Sequence, residues 1–158
     1  MALSDLYVSS SGSQSISVTT ADQPILLLTT PSTRRVNITG IRFSVGATTA
    51  AANNVVTVKL ARTANSPTGG TAVTPRPHDP SAPASLASNV STPSYTIAPT
   101  LGNILGWWNI PQTSGSMWEE FPPGGQEWMI NVSTSVCVFV TLTVATATPL
   151  FVDLVWSE

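Results

Sequence analysis

The feature of this chain that most limits its fold is an alternation of apolar and polar residues at the two-residue period of a β-strand. Every second side chain is apolar in residues 135–145, and residues 149–158 repeat the pattern. Successive side chains of a strand point to opposite faces of a sheet, so the pattern predicts strands with one face in a core. Residues 146–149 are the expected turn, and we expect these two strands to pair as a hairpin.

Four earlier segments have the same character and predict strands at 14–20, 24–30, 35–45 and 54–62. Within 35–45 the apolar residues occupy even-numbered positions (36 and 38) before Thr39-Gly40 and odd-numbered positions (41, 43 and 45) after it, a change of parity. One extra residue at a glycine is typical of a β-bulge, which lets both halves of a bent strand face the same core.

No segment keeps apolar residues at helical spacing for three turns, and 13 prolines and 10 glycines are scattered along the 158 residues. Many short strands separated by turn signals predict an all-β fold. We expect one antiparallel β-sandwich domain over residues 1–158. A jelly roll is the leading topology, with an immunoglobulin-like sandwich as the alternative.

Residues 64–100 lack the clear strand pattern of the other segments. Seven of the 13 prolines lie there, among many Ser and Thr residues. The segment is longer than the roughly 12–15 residues usual for an unstructured loop. It is predicted to be an extended loop or arm, either a linker between two half-domains or a clamp on a neighbouring molecule. We favour the clamp.

Charge is scarce: charged residues make up 9% of the chain, the net charge is −2, and Lys and Arg together number six. An average protein is about 25% charged, and binding to nucleic acid needs clustered cations. We therefore expect no nucleic-acid partner. The first residues lack the basic and apolar regions of a signal peptide, and no apolar run is long enough to span a bilayer. This indicates synthesis in a cytoplasm and no membrane partner.

The residues that enzymes use are sparse. The chain has one histidine, His78, and one cysteine, Cys137, about sixty residues apart. Neither a nucleophile elbow nor a phosphate-binding glycine motif is present, and the ligands of a zinc site are too few. We expect no catalytic residue, no metal and no cofactor, so the protein is not predicted to be an enzyme.

Aromatic residues are the strongest functional signal, since four of the five tryptophans lie between positions 107 and 128. Trp107 and Trp108 are adjacent, so one should face the core and the other should face outward. Exposed tryptophans anchor protein interfaces or stack on sugar rings. Trp107, Trp108 and Trp118 are the candidate interface residues, and for an outward-facing tryptophan we favour an interface over a sugar.

A second expected contact surface is formed by apolar residues on the nominally solvent-facing side of the last two strands. Phe139 would supply it from one strand, and Phe151 and Val155 from the other. An apolar patch of this kind marks an interaction site, here a contact between subunits around a closed symmetry axis.

Several short motifs resemble a pattern in small structural proteins of tailed bacteriophages. A strand ending in Arg62-Thr63 runs into a Gly-Thr-Ala-x-Thr-Pro stretch at 70–75 and then to Asp79-Pro80. Trp118, the Pro-Gly-Gly at 123–125 and the final Val-Trp-Ser-Glu at 155–158 complete the pattern. The resemblance covers about two-thirds of the chain.

This resemblance implies a jelly-roll protein on the capsid surface of a virion, synthesised in a host cytoplasm. Its expected role is that of a decoration or cement protein that forms homotrimers and braces the major capsid protein. The expected contact residues then include the proline-rich segment, through Pro75, Pro77, His78 and Pro80. The alternatives are a tail or head-fibre component and a carbohydrate-binding module for host attachment.

Overall fold

The computed structural model describes residues 5–49, 53–113, 115–120 and 128–158, without the side chains of 92–94 and 120. Within these residues the chain forms thirteen β-strands and no helix. The strands are β1 (Leu6–Ser10), β2 (Gln14–Ile16), β3 (Gln23–Thr29), β4 (Val36–Val45), β5 (Val55–Thr63), β6 (Thr68–Val73), β7 (Arg76–Pro77), β8 (Ser88–Ile97), β9 (Leu101–Pro111), β10 (Gly115–Glu120), β11 (Trp128–Ile130), β12 (Ser135–Leu142) and β13 (Thr148–Ser157).

The strands form two antiparallel sheets packed face to face. The first sheet has the order β10-β4-β13-β1-β7, with β11 also paired to β4 and β2 also paired to β13. The second sheet has the order β6-β8-β3-β12-β5-β9. The predicted all-β sandwich is therefore confirmed, and the apolar alternation identified most of the long strands.

Strand pairing is nested along the sequence. β13 pairs with β1 and β2, β12 with β3, β4 with β10 and β11, and β5 with β9. The expected hairpin between the last two strands is wrong, because β12 belongs to the second sheet and β13 to the first. Both strands bury an apolar face in the same core from opposite sides, so their sequence patterns look alike.

The predicted bulge in β4 is confirmed. Val155 of β13 lies opposite Gly40, and the next residue, Trp156, lies opposite Ile38, which leaves Thr39 as the extra residue. Ile38 and Ile41 are consequently both buried, on either side of the change in parity. The bulge keeps the whole of β4 facing the core.

The main core fills the space between the sheets. Its centre includes a stack of Tyr7 on Trp156, whose ring centroids are 6.1 Å apart. Burial of aromatic and branched aliphatic side chains such as these is the main stabilising contribution to a sandwich. The largest of its fully buried side chains are Trp156, Tyr7, Phe43, Ile16, Ile25, Leu26, Leu28, Ile38, Ile41, Leu60 and Ile130.

About half of the proline-rich segment 64–100 lies in strands of the two sheets, which corrects in part the expectation of an extended loop or arm. β6 and β8 form one side of the second sheet, and the two-residue β7 pairs with β1 of the first sheet. Further bonds hold the segment to its own domain: His78 N donates to Leu6 O (2.8 Å) and Tyr7 Oη donates to Pro83 O (3.0 Å). Most of its prolines lie at strand ends or in connections between strands, and Pro93 lies inside β8, between Ser91 and Tyr95, where the register with β6 shifts.

A second, smaller core lies on the outer side of the second sheet. It consists of Leu27, Ala61, Cys137 and Phe139, and it is covered by Val90, Tyr95 and Leu101 from β8 and β9. Both faces of β12 are therefore buried. Phe139 is only 1% exposed, so the prediction that it lies on a contact surface is wrong.

Candidate binding surfaces

The two most exposed tryptophans lie on opposite outer faces of the sandwich. Trp107 of β9 is 59% exposed, and its neighbour Trp108 packs against the main core. Trp118 of β10 is 57% exposed, and its neighbour Met117 packs against the same core. The prediction that Trp107 and Trp108 face opposite ways is confirmed, with Trp107 as the outward residue.

Each exposed indole carries a cation over its ring, and each cation is paired with an aspartate. Lys59 Nζ lies 5.0 Å from the Trp107 ring centroid and 2.8 and 3.0 Å from the Asp22 carboxylate oxygens. The Arg42 guanidinium lies 5.1 Å from the Trp118 ring centroid, and Arg42 Nε donates to Asp153 Oδ2 at 2.8 Å. Cation–π contact fixes the ring orientation, and the aspartate neutralises the cation. Both tryptophans are thus held in place without local net charge.

Trp108 is a packing residue, which corrects its assignment to the expected interface. Its ring contacts Phe43 (centroids 5.8 Å apart) and Trp128 (6.0 Å), and its Nε1 donates to the Glu119 carboxylate of β10. Because β9 and β10 belong to different sheets, Trp108 joins the two sheets at one open side of the sandwich.

The remaining members of the expected apolar patch lie on the first sheet. Phe151 is 42% exposed on β13, and Val155 on the same strand is half-buried. Phe139 belongs to the other sheet, so the expected single patch does not exist. Phe151 and Val155 instead share the outer face of the first sheet with Trp118, two strands away.

The same outer face contains an open depression of about 370 Å³ between β4 and β7. Arg42 and Asp153 form one side of it and Arg76 the other. Arg76 is exposed and makes no ion pair among the residues that the structure describes. We call this the sheet-face depression; its lining residues are Val8, Ser10, Arg42, Thr74, Arg76 and Asp153.

The four expected contact residues of the proline-rich segment lie along the edge of the first sheet. Pro75 and Pro77 are half-buried on either side of Arg76, whereas His78 and Pro80 are exposed. They flank the sheet-face depression, but none of them lines it.

The described residues contain neither a cluster of metal-ligand side chains nor an exposed thiol. Their His, Cys, Asp and Glu side chains form no group of three that could hold a metal ion. Cys137 is fully buried, and this burial raises the pKa of its thiol far above the ordinary value, which keeps it in the unreactive protonated form. Across the same residues, no helix has the length and apolar character to cross a membrane.

Comparison with protein-family models, with curated proteins and with solved structures found no match to this chain. Of the motifs that resemble phage structural proteins, Arg62-Thr63 ends β5, Trp118 lies in β10, and Val155-Trp156-Ser157 ends β13. The Pro-Gly-Gly motif at 123–125 lies outside the described residues.

The Asp22–Lys59 pair gives a test of how the exposed Trp107 is held. Partial burial raises the pKa of Asp22, but hydrogen bonds from Lys59 and Thr141 and the Lys59 charge outweigh it, so the pKa lies below 3.8. The pair therefore stabilises the fold above pH 3.8, and this contribution disappears as the pH falls through the lowered pKa. We expect Asp22→Asn to cost about 1 kcal/mol at neutral pH.

Urea unfolding at neutral pH and at pH 3 measures this cost. Asp5→Asn is the matched control, because Asp5 forms no ion pair with the described residues. If Asp22→Asn has no more effect than the control, the ion pair beside Trp107 does not stabilise the fold.

Proposed function

We propose that this protein is a virion structural protein, a decoration or cement protein of a phage capsid that forms homotrimers and stabilises contacts between major capsid subunits. The observation that carries the proposal is the edge strand β9. This strand spans Leu101–Pro111, forms the end of the second sheet, and contains no charged residue. It exposes Trp107 and Ile104, the latter at 42%.

Natural proteins protect sheet edges that must stay unpaired, using charges, prolines or distorted backbone. The other edges of this sandwich have such features. Gly69 and Gly70 have φ values of 78° and 95° and distort β6, Pro77 interrupts β7, and Glu119 places a charge on β10. β9 has only Pro111, at its very end, and two register shifts between Gly106 and Leu101, so Trp107–Pro111 is paired regularly. A long apolar edge of this kind is expected to have a partner, and a second copy of the chain is the partner that a homotrimer provides.

The nested pairing supports the finer interpretation of the sandwich as a jelly roll. Such a fold combines two Greek keys, in which the strands of one long folded ribbon alternate between two sheets. Here β3, β5, β9 and β12 fall in one sheet, and β4, β10, β11 and β13 in the other. The segment with β6, β7 and β8 is then an insertion between β5 and β9.

Removal of the Trp107 side chain tests the contact. We expect Trp107→Ala to weaken self-association by at least about tenfold, since a buried tryptophan anchor contributes about 2 kcal/mol or more to an interface. Light scattering over a concentration series measures the mass. Trp118→Ala is the matched control, because Trp118 is equally exposed and also packs against a cation.

Three results would contradict the proposal: a monomeric wild type, an equal loss of association in both variants, or only a few copies of the protein in purified virus particles. Association should also resist moderate salt, because apolar burial is little screened by ions.

Carbohydrate binding is the second candidate function. It is favoured by one observation, namely that Trp118 lies beside the polar side chains of Arg42 and Asp153 on an open sheet face.

A further inference from the structure

We propose that the sheet-face depression is a binding site for an acidic sugar, meaning a monosaccharide unit with a carboxylate. The inference concerns the first sheet and does not depend on a role in a virion, which rests on the edge of the second sheet.

Charge is the first argument. Two guanidinium groups, of Arg42 and Arg76, face the depression together with one carboxylate, of Asp153. Asp153 neutralises Arg42, with which it forms an ion pair. Arg76 has no acidic partner among the described residues, so the depression retains one unbalanced positive charge. The planar fork of an arginine binds carboxylates in bidentate fashion, which makes a carboxylate the matching group on the ligand.

The remaining groups distinguish a sugar acid from an acidic side chain of a protein. Arg42 uses Asp153 Oδ2 for both of its hydrogen bonds, which leaves Asp153 Oδ1 available as an acceptor. A free carboxylate oxygen repels a second carboxylate, but it accepts a hydrogen bond from a sugar hydroxyl. Ser10 and Thr74 add hydroxyls that both donate and accept, and Val8 offers an apolar surface to the C–H face of a pyranose ring.

The depression is also preformed. Asp153 of β13 is paired directly with Arg42 of β4 on one side and with Ser10 of β1 on the other. Three adjacent strands therefore fix these side chains on a rigid sheet, which lowers the entropic cost of binding. The volume of about 370 Å³ falls within the range of about 300–1,000 Å³ typical of ligand sites. Trp118 is 57% exposed, and the face of its ring that Arg42 does not cover offers a surface on which an adjoining sugar could stack.

NMR titration of the isotope-labelled protein with sodium glucuronate tests the site. We expect chemical-shift changes at the Trp118 indole and at the backbone amides of Ser10, Thr74 and Asp153. Glucose lacks the carboxylate and should bind at least about tenfold more weakly. Glutarate has carboxylates but no hydroxyls and should also bind at least about tenfold more weakly.

Arg76→Gln should weaken glucuronate binding by at least about tenfold, whereas Arg34→Gln, at another exposed arginine, should leave it unchanged. If glucuronate caused no chemical-shift changes, the inference would be overturned. Equal binding of glutarate would also overturn it and would indicate an acidic side chain of a partner protein as the occupant. If glucose bound as tightly as glucuronate, Arg76 would not be recognising a carboxylate, and the proposal of an acidic sugar would be wrong. None of these outcomes affects the Trp107 test, so the two proposals fail separately.

Discussion

Gly106→Ala is expected to destabilise the fold strongly for a change that adds only one methyl group. A Cβ atom at position 106 would lie 2.7 Å from Cζ2 of Trp108 and 2.8 Å from Cη2 of Trp128, closer than carbon atoms can approach. Trp108 would have to move, and with it the contacts that join β9 to Phe43 and to β10. Overpacking of this kind costs about 1–3 kcal/mol, and we expect a loss near the upper end.

The urea midpoint measures this loss, and near-UV circular dichroism reports the displaced indoles. Gly115→Ala is a suitable control, because a Cβ atom there would meet only ordinary contacts, the nearest being Pro111 Cδ at 3.6 Å. A Gly106→Ala protein as stable as this control would show that Trp108 does not join the two sheets.

Glu158→Gln should also destabilise the fold, by about 2 kcal/mol at neutral pH. The Glu158 carboxylate accepts hydrogen bonds from Leu86 N (2.9 Å), Ala87 N (3.1 Å), Ser85 Oγ and Trp156 Nε1 (3.3 Å). It thereby fixes the chain that leads into β8. A glutamine amide would direct an N–H group at one of these donors, and hydrogen bonds to charged groups contribute about 1.5–3 kcal/mol.

The pH dependence of unfolding should change in the same variant. Partial burial raises the pKa of Glu158, but the four hydrogen bonds outweigh it and hold the pKa below 4.5. A lowered pKa stabilises the fold above the ordinary value, and this contribution is lost as the pH falls through the lowered one. The wild type should therefore lose stability below pH 4.5 more steeply than Glu158→Gln.

Chemical unfolding from pH 7 to pH 3 tests this expectation, with Asp5→Asn again as the control. Parallel pH profiles for wild type and Glu158→Gln would contradict it.

The clearest strand predictions came from segments with one face on the main core. The alternation in β4, β5 and β13 has this origin, and the change of parity at Gly40 located the bulge. The sheet to which each strand belongs was not predictable, because strands on either side of one core have the same pattern. The hairpin error between β12 and β13 has this cause.

The errors at the candidate surfaces have a different origin. Phe139 was assigned to a surface on the assumption that β12 buries one face, but Leu27, Ala61 and Cys137 form a second core on the other. A strand that is buried on both faces loses the alternation of apolar and polar residues. The continuous apolar runs at 25–28 and 136–140 therefore indicated burial of both faces. The sheet-face depression combines residues from 8 to 153 and could not be found without the strand register.

The nested pairing has a consequence for how the chain reaches its folded state. β1 forms its ladder with β13, about 150 residues later in the sequence, and β5 pairs with β9 across the whole 64–100 segment, within which β6 and β8 pair more locally. Loops of this length must close before the contacts that stabilise them exist, so sandwiches of this type fold on the order of milliseconds to seconds. During synthesis the central strand of the first sheet emerges last. Until then β1 and β4 have unpaired inner edges, and this interval is when the chain is most prone to aggregate.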